Sequence, residues 1–120
     1  MFRFEKFDVW QQAVDFADNI YACTQTFPRD EQFGLTSQMR RASVSVSSNI
    51  AEGSSRSSDR DFARFVELAY GSLMEVVSQV CIAKRQGLLA APQFETIYGD
   101  AERIARQLSN LRSTLNSERP

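Results

Sequence analysis

The sequence predicts an all-α protein, an antiparallel up-down-up-down four-helix bundle, on three observations. Apolar residues recur at helical spacing through four long segments. The breaks between these segments are short and carry the proline, glycine and serine that end helices. No internal repeat or linker divides the chain, so residues 1–120 read as one domain.

The first helix is expected over 8–26, with Asp8 as a candidate N-cap and Pro28 as its stop. Trp10, Ala13, Val14, Ala17, Ile20 and Tyr21 share one face, with Gln11, Gln12, Asp15, Asp18 and Asn19 opposite. The second segment is ambiguous. Ser43-Val44-Ser45-Val46-Ser47 alternates as a strand would, whereas Leu35, Met39, Ala42, Val46 and Ile50 fall at helical spacing. With Thr36 able to cap and Gly53 able to terminate, the wider window favours a helix over 36–54, held by tertiary packing.

The third helix is expected over 58–86. Ser58-Asp59-Arg60-Asp61 opens it like a capping box with acids at the positive helix end, and Gly87 follows Lys84 and Arg85 at the other. Its stripe runs through Phe62, Phe65, Val66, Ala69, Leu73, Val76, Val80 and Ala83. The fourth, over 92–116, begins at Pro92 and places Phe94, Ile97, Tyr98, Ala101, Ile104, Ala105, Leu108, Leu111 and Leu115 on one side. Glu102 and Arg106 form an i, i+4 pair on its exposed face.

Composition bounds the function. With 42% hydrophobic and 24% charged residues, the chain is neither a disordered tail nor a collagen-like repeat. Fourteen basic against fifteen acidic residues exclude a uniformly basic surface. No histidine is present, which removes the common acid–base and triad chemistries. Cys23 and Cys81 lie within apolar helical patterns and read as small buried hydrophobes in a reducing compartment. The opening MFRFEKFDVW has no apolar signal-peptide core, and no window resembles a membrane span, so a cytoplasmic location and no membrane partner are expected. Neither a cofactor nor a metal is expected: Asp59-x-Asp61 fits helix capping, and the serines of residues 54–58 have no base to activate them.

Three groups of residues remain as candidates. Gln38, Arg41, Ser45, Ser48 and Glu52 make a polar stripe on the second helix, faced by Leu68, Gly71, Ser72 and Glu75 on the third. Arg41, Glu52 and Glu75 could build a ligand site, or a neutralised network at a helix or subunit contact where Gly71 admits a close neighbour. Arg40, Arg56, Arg60 and Arg64 could meet phosphates. Residues 36–66 carry five arginines against three acids, a net +2, while residues 1–34 carry a net −3. The same arginines could instead lie on a solvated helix end paired with Asp59, Asp61 and Glu67. Phe2, Phe4 and Phe7 precede the first helix and either cover the open end of the bundle or dock onto a neighbouring subunit.

The run Gly34-Leu35-Thr36-Ser37-Gln38-Met39-Arg40-Arg41-Ala42, followed by Ser48-Asn49-Ile50-Ala51-Glu52-Gly53, resembles one bacterial family. Val9-Trp10-Gln11-Gln12-Ala13, Asp61-Phe62, Arg64-Phe65 and Ala69-Tyr70-Gly71-Ser72 with Glu75 extend the likeness to residues 4–117. It is the four-helix-bundle family encoded in intervening sequences of 23S ribosomal RNA genes, to which the accessory variability protein of diversity-generating retroelements is related. The resemblance implies a helical Ser43–Ser47 and no catalytic residues. It also implies a homopentameric ring, which gives Gly71, the polar stripe and the phenylalanine arm an intersubunit use; Gln38, Arg41, Asn49, Glu52, Gly71, Ser72 and Glu75 are expected to form a structural polar network or a subunit contact. Retroelement relatives bind RNA and a reverse transcriptase through basic surface, whereas this chain has only two lysines and a pI of about 5.4. RNA binding and a protein-interaction scaffold are therefore both expected functions.

Overall fold

The computed structural model describes residues 1–117; the last three residues of the expected domain lie outside the described residues. Four helices form: α1 (Asp8–Thr24), α2 (Leu35–Ser54), α3 (Asp59–Arg85) and α4 (Ala91–Asn116). Short 3₁₀ turns at Arg3–Lys6 and Arg29–Glu31 precede α1 and α2. The Ser43–Ser47 stretch is helical, and among the described residues there is no strand.

Local chemistry sets the helix ends. The end of α1 tightens into i→i−3 bonds, Gln25 N–H to the Ala22 carbonyl (3.4 Å) and Phe27 N–H to Thr24 (3.1 Å). The Thr24 hydroxyl turns back to the Ile20 carbonyl at 2.7 Å, so α1 stops two residues before the expected position. At α2, Thr36 is buried inside the helix, and Glu31 Oε1 instead accepts the Leu35 N–H (3.1 Å). Ser58 caps α3 by accepting the Asp61 N–H at 3.1 Å. At its other end Gly87 adopts φ +74°, and the Gly87 and Leu88 N–H groups bond back to the Lys84 and Ala83 carbonyls, a Schellman closure. Gln93 Oε1 accepts the Ala90 N–H at the start of α4, with Pro92 in its first turn.

Each helix packs on its sequence neighbour and α1 closes on α4, giving a bundle of 53 × 22 × 21 Å. Gly53 faces Phe62 and Phe65, and Ser45 faces Ser72, so α2 ascends as α3 descends. The centre is filled by Phe16, Ile20, Met39, Ile50, Phe62, Leu73, Ile104 and Leu108, all fully buried. Among the described residues one helix, α3, is long and apolar enough to cross a membrane. Its apolar stripe from Phe62 to Ala83 lies in the bundle core.

Helices α2 and α3 approach closely at Gly53, which lies within α2 and not beyond its end. A Cβ there would stand 2.6 Å from Phe65 Cβ and 2.8 Å from Phe62 Cδ1. A Cβ added at Gly71 would meet nothing within 4 Å beyond the backbone of its own helix. Of the phenylalanine arm, Phe4 packs edge-on against Trp10 and Phe7 against Phe62, covering this end of the bundle, while Phe2 remains 72% exposed.

Candidate functional site

The α2–α3 turn gathers three of the four arginines singled out from the sequence. Arg56 lies 4.5 Å over the Phe65 ring and pairs with Glu52 one turn earlier at 3.2 Å. Arg60 and Arg64 are exposed one turn apart on α3. Arg60 enters none of the ion pairs among the described residues, and Arg64 stands 3.8 Å from Asp61, beyond hydrogen-bond distance. Glu67 pairs with Arg112 of α4 at 3.4 Å and leaves these arginines alone. Arg3 joins the same end: its guanidinium donates to the Ser54 carbonyl at 3.2 Å and sits over the Phe7 and Phe62 rings. Sequence reasoning missed Arg3 because nothing in its spacing says where a short arm folds back.

Arg40 is placed elsewhere, near the start of α2. Its Nε donates to Thr24 Oγ1 at 2.8 Å, its Nη2 to the Tyr21 carbonyl at 3.3 Å, and its guanidinium lies 4.7 Å over the Tyr21 ring. It therefore ties α2 to the C-terminal turn of α1, where a cation complements the helix dipole.

The polar set across α2 and α3 divides in two. Ser45 and Ser72 share a hydrogen bond of 2.9 Å between the helices, and Asn49 Nδ2 donates to the Ser45 carbonyl (2.8 Å) and hydroxyl (3.1 Å). Arg41, Glu52 and Glu75 are exposed and are not brought together. Glu52 is taken by Arg56, Glu75 accepts from Gln79 Nε2 at 3.3 Å, and Gln38 and Arg41 face outward. Cys23 is buried, whereas Cys81 is only half-buried; both are free thiols. Burial pushes the Cys23 thiol up to about 11, against the smaller opposing pull of the Arg40 guanidinium.

Two surfaces carry exposed apolar side chains, the first around residues already singled out in the sequence and the second around one that was not. On α3, Leu68 (56% exposed) and Ile82 (49%) lie on one outward face with Gly71 and Glu75. At the start of α2, a groove of about 400 Å³ is lined by Tyr21, Phe33, Thr36, Ser37, Arg40 and Arg41. Phe33 is 90% exposed, and no acid lines the groove. The available clue was an aromatic in a short polar connector, off any helical stripe and close to an arginine pair.

Residues 5–110 match the family of 23S rRNA-intervening sequence proteins. The fold is similar to a crystal structure of a protein with unknown function from the S23 ribosomal protein family of Bacteroides thetaiotaomicron. The two share 22% identity at a TM-score of 0.77, covering 91% of this chain and 99% of that one. Among curated proteins none matches.

Proposed function

The chain belongs to the 23S rRNA-intervening sequence protein family, and from that premise we propose that it is a non-enzymatic, homo-oligomeric RNA- or nucleoprotein-binding bundle of one domain. The observation that carries this reading is the arginine cluster at the α2–α3 turn. Arg60 extends a guanidinium that enters no ion pair among the described residues, beside Arg64, which has only Asp61 at 3.8 Å, and beside Arg56 and Arg3. Phosphate oxygens match such donors in geometry as well as charge. Repetition around an oligomer makes a modest patch multivalent.

Self-assembly is supported by the apolar face of α3, where Gly71 leaves room for another helix. A ring of five is what the family resemblance implies. The absence of histidine and the raised pKa of the buried Cys23 favour a non-enzymatic role. Two free thiols accord with a reducing, cytoplasmic location.

The test is a salt-dependent titration of a labelled structured RNA, with Arg60→Glu/Arg64→Glu alongside. Binding that weakens steeply with salt and is lost in the variant supports phosphate contacts there. An RNA that stays unbound at low salt overturns it. The second reading, a protein-interaction scaffold, would then stand on the exposed Leu68 and Ile82. For assembly, Gly71→Leu should reduce the native mass; an unchanged oligomer removes Gly71 from the contact.

A further inference from the structure

We infer that the groove at the start of α2 is a nucleotide site, taking a planar base on Phe33 and its phosphate on Arg41. The site is separate from the α2–α3 arginines and does not rest on their role. Arg41 lies thirteen residues before the end of α2 at Ser54, about 20 Å along the axis, and Arg56 lies beyond that end.

Phe33 supplies the first argument. It follows the Arg29–Glu31 turn and leaves nearly its whole ring in water, although Phe27 in the same connector is buried in the core. A nearly fully exposed phenylalanine forgoes the stabilisation that burial gives such a ring. A base stacked on it would recover much of that, and stacking accepts any base because each has a π-face.

Charge supplies the second. Arg40 is held by Thr24 and Tyr21 and forms a fixed cationic wall, while Arg41 enters none of the ion pairs among the described residues. Ser37 and Thr36 add hydroxyls to the same groove; of the two acids in the connector, Asp30 and Glu31, neither lines it, and Glu31 is engaged by the Leu35 N–H. A movable guanidinium beside a fixed one, with no carboxylate in the lining, selects an anion. An aromatic platform within the same groove selects an anion joined to a planar ring. At about 400 Å³ the groove lies in the range of small-ligand sites, roughly 300–1,000 Å³.

The ligand could be a free nucleotide or an unpaired nucleotide of a longer strand, and the experiment separates them. Adenosine 5′-monophosphate, adenosine and inorganic phosphate are each titrated into isotope-labelled protein and followed by NMR. A fluorescein-labelled hexaadenylate is titrated in parallel by anisotropy. Adenosine 5′-monophosphate should shift resonances across Phe33–Arg41 more tightly than adenosine or phosphate alone. Tighter hexaadenylate binding at the same resonances identifies a strand as the ligand; equal affinity identifies the mononucleotide.

Phe33→Ala should weaken binding by about 5- to 150-fold, and Arg41→Gln should abolish the preference for the phosphorylated ligand. Both side chains are exposed, so the variants should melt with the wild type. Arg60→Glu/Arg64→Glu should bind adenosine 5′-monophosphate as the wild type does, which separates this site from the turn cluster. Three results overturn the proposal: no ligand-induced shifts at Phe33–Arg41, undiminished binding by Phe33→Ala, or a concentration-dependent dimer that Phe33→Ala abolishes.

Discussion

Replacing Gly53 with alanine should destabilise the protein, although the same change in an open helix stabilises. Alanine is favoured over glycine by about 1 kcal/mol in a helix interior. At Gly53 the new methyl would stand 2.6 Å from Phe65 Cβ, an atom attached directly to the α3 backbone that no rotamer change can move. Ordinary carbon contacts lie at about 3.5–4.0 Å, so α2 and α3 must part by about 1 Å. Phe62, whose ring is the second obstacle at 2.8 Å, is fully buried and has no free space to enter. Overpacking of this kind costs about 1–3 kcal/mol, and contact with an atom tethered to the backbone belongs at the upper end. Setting the propensity gain against it leaves a net loss of about 2 kcal/mol, or about 8 °C in Tm for a domain of this size. Gly99 is the control, an exposed residue within α4 where an added methyl would meet nothing within 4 Å. Gly99→Ala should gain about 1 kcal/mol. Both are read by urea and thermal unfolding at one fixed protein concentration, since assembly shifts the midpoint. A Gly53→Ala variant at or above the wild-type midpoint would refute the close-approach argument.

Three other substitutions test separate parts of the structure. Arg40→Lys should cost about 1–2 kcal/mol in urea unfolding, because an ammonium cannot keep the Nε bond to Thr24 together with the Nη2 bond to Tyr21; full stability would show the clamp to be dispensable. Glu52→Ala should change stability by no more than about 1 kcal/mol, since the Glu52–Arg56 pair is solvated, with side chains 57% and 40% exposed; a loss of several kcal/mol would reveal a buried partner. Folded Cys23 keeps its proton above 9.0, where an unfolded thiol has lost it, up to about 11. Its contribution to stability is therefore constant below about pH 9 and declines as pH rises towards 11. The stability difference between wild type and Cys23→Ala should narrow over that window, and a difference independent of pH would contradict the burial of the thiol.

The fold was legible because helical periodicity is a property of neighbours along the chain. The alternating Ser43–Ser47 stretch shows where this signal weakens. It becomes helical because serine can satisfy itself within a helix: Ser43 Oγ donates to the Arg40 carbonyl (2.9 Å) and Ser47 Oγ to Val44 (3.0 Å). Buried Ser43 thus carries no unmet hydroxyl against the core. The site was less legible. Periodicity assigns a residue to a face but not the distance to the next helix, so Gly71 drew the role of close neighbour that Gly53 fills within the chain. The Arg41–Glu52 pairing gave way to Arg56, four residues after Glu52 in the turn that follows α2. Phe33 and Arg3 lie outside the helices, and their directions depend on turns that no periodic pattern encodes.

The short turn at residues 55–58 has a consequence for how the molecule is made. It closes α2 onto α3 with four residues, against ten between α1 and α2, so the α2–α3 hairpin has the smaller entropic barrier and should nucleate folding. Transition-state φ-values near one for substitutions between these helices, and near zero in α1, would be its kinetic signature. On the ribosome the order of synthesis runs against this. Helix α1 emerges before α4 yet closes on it, so one side of its apolar face has no partner until α4 has been made. Chaperone demand in the nascent chain should therefore concentrate on α1, the helix that folding reaches late.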